Sequence, residues 1–469
     1  MTYFAFFHFC ICMLMFPIIG FAQLPLNKYS PMDHAWKHVG NAQFSPCFGG
    51  PNLVFSPSGE PFVAFEDGAT AQATVMKFDG LNWVNVGLPK FTQDAADCLS
   101  FAIDPLNGEP YVAYMDWGSS GLRTSVMKFD GSNWEYVGSQ FFSAAGQTVA
   151  QSIAFSPVDN MPYVAFEDGG WGYNARVMKY NGTDWVNVGI PGFSTNGADW
   201  TSLAFSPSDS LPYVAFSSSC SSGSMKATVM KFNGTDWVYV GNPCFSPNGA
   251  YWTRLVFSPS NHQPYVSFGD STNTGKATVM TFNGTSWELV GNKGFSGGPA
   301  GPISLAIDPN GTPYVAFMDY SLFKTASVMK FDGANWVYEG NPSISQDEIY
   351  WTSLAISQSG QPFVAYNNTV NNPRISVLKY DSVTVGINKV KESNILVYPN
   401  PANDNVTIEI PEGQTPCQFS MINMDGEVVL MCSFIKPKTQ LDLSNLRGGI
   451  YFIRLTTKFK VCVEKIVKQ

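Results

Sequence analysis

The sequence predicts an all-β chain: a seven-bladed β-propeller followed by a small C-terminal β-sandwich. Three observations lead there. A tryptophan in a W-x-x-x-G setting returns at Trp36, Trp83, Trp134, Trp185, Trp237, Trp287 and Trp336. Their spacing, about 50 residues, lies in the range of propeller repeats. A turn pair precedes all but the first: Asp79-Gly80, Asp130-Gly131, Asn181-Gly182, Asn233-Gly234, Asn283-Gly284 and Asp332-Gly333. Asp-Gly and Asn-Gly tolerate positive φ and mark tight hairpins. Each period also holds four short runs rich in Val, Phe and Tyr, which read as strands.

The strands follow one order. First strands begin near Leu53, Phe101, Ile153, Leu203, Leu255, Leu305 and Leu354. Second strands open at Pro61, Pro110, Pro162, Pro212, Pro264, Pro313 and Pro362. Third strands carry Lys77, Lys128, Lys179, Lys231, Lys330 and Lys379, with Thr281 as the exception. The tryptophans mark the fourth, where they are expected to pack between blades. The first tryptophan run, 35–40, precedes any first strand, and the last repeat has no tryptophan run after it. Trp36 is therefore expected to supply the outer strand of the seventh blade, pairing the two ends of the array and removing exposed edges.

Flanking segments complete the organisation. Residues 1–22 form an apolar run ending in Gly20-Phe21-Ala22, as a secretory signal does, although no Lys or Arg precedes the run. An uncleaved anchor is the alternative; no later stretch is apolar enough to span a membrane once the signal is cleaved. The propeller is assigned to 30–384, a polar linker to 385–394 and the sandwich to 395–469. The last segment reads "ILVYPNPANDNVTIEI", then Asp425-Gly426, Gly448-Gly449-Ile450-Tyr451 and a terminal Lys465-Ile466-Val467-Lys468-Gln469. These words resemble the type A C-terminal sorting domain of proteins exported by the type IX secretion system of Bacteroidetes-type bacteria. The resemblance implies the secretion machinery as partner, and an outer-surface or secreted location. Cys417, Cys432 and Cys462 are unusual for such a module. The repeats resemble kelch-like and lectin-like propellers, without the kelch Gly-Gly pair.

Loops joining second to third strands, and fourth to first, share one propeller face and vary most, so function is expected there. Six residues after each second-strand proline stand Asp67, Asp116, Asp168, Ser218, Asp270, Asp319 and Asn368. Just before the first strands stand Gly50, Cys98, Ala150, Trp200, Trp252, Pro302 and Trp351. Trp117, Trp171, Tyr251, Tyr320 and Tyr350 lie in the same loops. Two readings stand. Asp67, Asp116, Asp168, Asp270 and Asp319 with Trp200, Trp252 and Trp351 would bind a sugar, rings stacking on C–H faces and carboxylates accepting hydroxyls. Alternatively, each Asp bonds its own turn and the rings pack between blades.

Other chemistry finds little support. A net charge of −9 argues against nucleic acid. No CxxC, Walker loop or GxSxG is present, so no metal, cofactor or catalytic set is expected. His34 and His38 stand too far apart along a strand to share one ion. Seven cysteines follow residue 22, an odd number. Cys220 with Cys244, in two loops of one face of the fourth blade, is the disulfide candidate; Cys47 with Cys98 is a weaker one. The expected function is a non-catalytic, surface-attached binding propeller for a glycan or a protein. The alternatives are a polysaccharide hydrolase or lyase using Asp67, Asp168 or Asp270, and a structural adhesin without a small ligand.

Overall fold

The computed structural model describes residues 36–381, apart from 119–120, 145, 221–222 and 370–372. It also describes 396–469, apart from 411–416, 424–427, 435 and 457–460. The expected signal (1–22) and linker (385–394) lie outside the described residues. Each repeat folds because its hairpins close locally. In the first, Asp79 Oδ1 accepts the N–H groups of Leu81 (2.8 Å) and Asn82 (2.7 Å), and Gly80 takes φ +99°. Asn233 does the same for Thr235 and Asp236. This turn sets the third strand against the three-residue tryptophan strand, as Ala73–Phe78 pairs with Trp83–Asn85.

Six repeats form four-stranded antiparallel sheets in sequence order. The seventh sheet takes its inner three strands, Ile349–Ile356, Pro362–Asn368 and Arg374–Tyr380, from the last repeat. Its outer strand is Trp36–His38, with Trp36 opposite Tyr380. The second strands are the most buried, because sheets cover them on both faces; Pro110–Asp116 is buried throughout.

Adjacent blades are joined at two radii. Outside, each repeat tryptophan donates its indole N–H to a backbone carbonyl of the preceding blade, at 2.7–2.8 Å. Trp83, for example, donates to Val39 and Trp36 to Glu339. Six of these indoles also stack on a phenylalanine, with centroids 3.8–4.8 Å apart. Inside, serine hydroxyls accept N–H groups from the next blade: Ser100 from Ile153, Ser152 from Leu203, Ser202 from Leu255, Ser304 from Leu354, and Ser353 from Leu53. These bonds satisfy strand N–H groups that would otherwise be buried unpaired.

The chain divides into two units, Met1–Ser382 and Val383–Gln469. In the second, Leu396–Tyr398, Asn405–Glu409 and Lys438–Asp442 form one sheet. Cys417–Ile422, Val428–Phe434, Gly449–Thr456 and Val461–Lys468 form another. Val406, Ile408, Phe419, Met421, Ile453 and Ile466 fill one core shared by both.

Candidate functional site at the central opening

The variable-loop face opens into a central cavity of about 510 Å³. Its wall comes from the starts of the inner strands and the ends of the second strands. The inner strands carry an irregularity there. Pairing shifts register between Asp97 and Ser100, Val149 and Ser152, Asp199 and Ser202, and Tyr251 and Arg254. Each shift contains one left-handed residue: Cys98 (φ +53°), Ala150 (+53°), Trp200 (+55°) and Trp252 (+55°). Such a conformation in a non-glycine residue persists only where the surroundings enforce it. Here threonine hydroxyls of the next blade hold it: Thr201 donates to the Ala150 carbonyl, and Thr253 to that of Trp200 (2.6 Å).

The bulges aim Cys98, Ala150 and Trp200 at the cavity, and Trp351 enters from the seventh blade. Asn367 positions Trp351 by accepting its backbone N–H (3.0 Å) while donating to the Gly49 carbonyl (3.2 Å). Gly50 must be small, because a Cβ there would lie 3.1 Å from the Trp351 ring. Trp252 is not in the wall. It stands by Trp200, centroids 6.3 Å apart, with Tyr251 edge-on to Trp200 at 5.5 Å.

Carboxyl groups meet across two blade junctions. Glu66 of blade one faces Asp97 of blade two, and Glu167 of blade three faces Asp199 of blade four; all four line the cavity. Burial, and then the Asp97 charge, push the Glu66 pKa up to about 9. Burial, and then the Asp199 charge, push Glu167 up to about 8. Burial alone raises Asp199. Each glutamic acid therefore holds its proton near neutral pH and can both donate and accept hydrogen bonds. Burial and the same acids raise the Cys98 thiol far above its usual range, so it stays protonated and is a poor nucleophile.

The five repeated aspartates sit elsewhere. All are buried in the blade walls and bound to their own or adjoining turns. Asp168 accepts Gly170 N–H (2.9 Å) and pairs with Arg176 (2.8 Å). Asp319 accepts Ser321 N–H (2.9 Å) and the Tyr338 hydroxyl (3.2 Å). Asp116 accepts Gly118 N–H (3.0 Å) and the Gln140 amide (3.1 Å). Asp67 accepts Ala69 N–H (3.0 Å) and pairs with Lys90 (2.9 Å). Asp270 accepts the amides of Asn248 (3.3 Å) and Asn273 (3.2 Å). Of the two readings of these carboxylates, the geometry fits the one in which each bonds its own or an adjoining turn. Of the eight expected residues, Trp200 and Trp351 reach the cavity. Cys220 and Cys244 form the expected disulfide, with Cα atoms 6.3 Å apart. Cys47 and Cys98 are both free thiols, against the weaker pairing.

Asp97 and Asp199 escaped the sequence reading because it sought residues that recur, and Glu66 and Glu167 stand out in the sequence only as the neighbours of Asp67 and Asp168. Side-chain alternation sends Glu66 and Asp67 to opposite sides of one strand, and the recurring one faces the wall. The available signal was the position before each Asp, which holds Glu66, Met115, Glu167, Ser217, Gly269, Met318 and Asn367 in turn.

Comparison with known proteins locates the chain's export signal. The family model for the secretion system C-terminal sorting domain matches residues 396–469. Those residues are a secretion sorting domain. The protein that carries it is accordingly secreted or displayed on the outer surface, as such domains direct in Bacteroidetes. No curated protein matches the chain. Among solved structures, PorZ, a surface component of the type-IX secretion system of Porphyromonas gingivalis, is similar at 13% identity and a TM-score of 0.45. That match covers 95% of this chain and 61% of PorZ. An ulvan lyase, described as a new family of polysaccharide lyase, is similar at 11% identity and a TM-score of 0.50, over 73% of this chain and 95% of its own. The lectin SapL1, solved with α-methyl fucoside, is similar at 12% identity and a TM-score of 0.44, over 65% and 100%. At these identities the likeness concerns the fold.

Proposed function

We propose that this surface protein binds a carbohydrate in the central opening of its propeller, without transforming it. The observation that carries the reading is the placing of two indole rings, Trp200 and Trp351, in one cavity with two proton-holding carboxyl pairs. Flat aromatic faces suit the C–H faces of a pyranose. Groups that both donate and accept suit hydroxyls. A cavity of about 510 Å³ falls within the usual range for small-ligand sites. A glycan array probed with the full chain, beside the double variant Trp200→Ala/Trp351→Ala, tests this. Binding by the parent and its loss in a variant that melts normally is the expected result. Equal binding by both removes the cavity from the reading.

A second reading rests on the same carboxyls. A protonated acid beside another carboxyl group can serve acid–base chemistry on a polysaccharide. In that case the working residues are Glu66 with Asp97 or Glu167 with Asp199, because Asp67, Asp168 and Asp270 are held by their turns. New reducing ends released from an array hit, and abolished by Glu66→Gln or Glu167→Gln, would favour it.

A further inference from the structure

One column of the inner ring departs from its repeat in two blades, the first and the fifth. The residue just before each first-strand start is Asn52, Ser100, Ser152, Ser202, Arg254, Ser304 and Ser353. Five are the serines whose hydroxyls latch the next blade. In the fifth blade the latch is replaced by a guanidinium, and that side chain lines the central cavity. Neighbouring protein atoms lower its pKa by desolvation, but the residue itself is exposed in the opening, where an anion can reach it. Among the described residues, no carboxylate lies within ion-pair distance of it. Its one hydrogen bond runs to the carbonyl of Thr253, at 3.3 Å.

One more polar group, in the wall of this cavity, lacks a partner. Gln151 lines the cavity with 7% of its surface exposed. Its amide nitrogen binds Thr148, and its Oε1 has no partner. Buried polar atoms are seldom left unsatisfied. A ligand carrying an anion would give the exposed Arg254 guanidinium the counter-charge that the protein does not supply.

The geometry points to an acidic glycan as the ligand, its carboxylate or sulfate received by Arg254 while its rings lie against Trp200 and Trp351. This rests on the carbohydrate reading above. Arginine suits the task because its planar fork of donors matches either anion in a bidentate way. Of the lining acids, Glu66 and Glu167 hold their protons at neutral pH and present donors beside the charges of Asp97 and Asp199, and none of the four stands within ion-pair distance of Arg254.

The test is an array of matched saccharides read with the full chain. Each uronate or sulfated oligosaccharide is spotted beside its carboxyl-reduced or desulfated form. Arg254→Ser is the informative variant, because serine is what five blades carry there; it restores a latch and should melt no lower than the parent. Arg254→Lys keeps the charge and loses the fork. We expect the parent to favour acidic members by about tenfold or more, the strength of a charge-assisted pair. Arg254→Ser should level acidic and neutral members, and Arg254→Lys should keep part of the preference. Hits confined to uronates or to sulfated sugars identify the anion. The inference is overturned if the parent binds neutral members equally well, or if acidic hits survive Arg254→Ser undiminished. Silence toward every saccharide overturns the carbohydrate reading along with it.

Discussion

Glu66 and Asp67 are adjacent in one strand and belong to different parts of the molecule. Asp67 and its counterparts, repeated almost without change, face the blade walls, where each accepts hydrogen bonds from a turn. Glu66 and Glu167 line the opening, and their column changes in chemistry from blade to blade. A ring of like blades needs the same turn, the same latch and the same stacked indole at each junction, so its walls repeat. A site for one ligand needs unlike groups around one point, so its lining does not. In this propeller repetition marks the scaffold, and departure from it marks the chemistry. The far end of the central channel agrees. There a cavity of about 450 Å³ is lined largely by repeated prolines and aliphatics such as Pro57, Pro105, Pro309, Ile103 and Ile307, and no charge gathers.

The comparison is broken hardest by attacking the wall. Deleting 36–40 removes the outer strand of the seventh blade, the Trp36 indole donor and the Val39 carbonyl that receives Trp83. Two of the seven outer junctions lose their bond together, and the sheet of blade seven gains an open edge. We expect loss of cooperative melting by calorimetry. An unchanged melt would mean that the pairing of the chain ends does not support the ring.

A single wall residue comes next. Asp168 is fully buried and is the ionic partner of Arg176, which is itself 7% exposed. Asp168→Ala leaves that guanidinium buried without its counter-charge. The expected cost is about 3–5 kcal/mol in denaturant unfolding, together with loss of the 3₁₀ turn Gly169–Trp171 that Asp168 caps. Glu167→Gln, one residue away, should lower stability little or not at all. Equal costs at 167 and 168 would erase the distinction between wall and opening.

The wall was legible in the sequence and the opening was not. Tryptophan spacing, Asn-Gly turns and the early position of Trp36 are local signals, and periodic repetition amplifies each one. The disulfide could be placed because blade topology puts Cys220 and Cys244 in loops of one face. The carboxyl pairs gave no such signal, because each forms between neighbouring blades from residues unremarkable alone. Asp97 and Asp199 also depend on bulges that re-aim the inner strands, and a left-handed Cys98 or Trp200 is not announced by residue type. Arg254 was visible as an exception in its column. Its meaning needed the serine latches, which appear only when blades are stacked.

The smallest expected effect is the most specific to the opening, because it is a slope with pH. Glu167 has its pKa raised from 4.5 to about 8 by burial and the Asp199 charge. Below about pH 4 the folded and unfolded chains both hold this proton, and Glu167→Gln should match the parent. Between those values the unfolded chain has released the proton while the folded chain keeps it. Folded protein then binds more protons, so this group's contribution to stability falls as pH rises. Above about pH 8 the folded chain ionises as well, and the difference levels off. The neutral amide has no such dependence. Melting of Glu167→Gln relative to the parent should thus rise from acid pH to about pH 8 and then flatten, and Glu66→Gln should continue rising to about pH 9. Melting curves at intervals from pH 4 to 10 decide it: a flat difference for both glutamate variants would mean that the opening does not hold its carboxyls protonated.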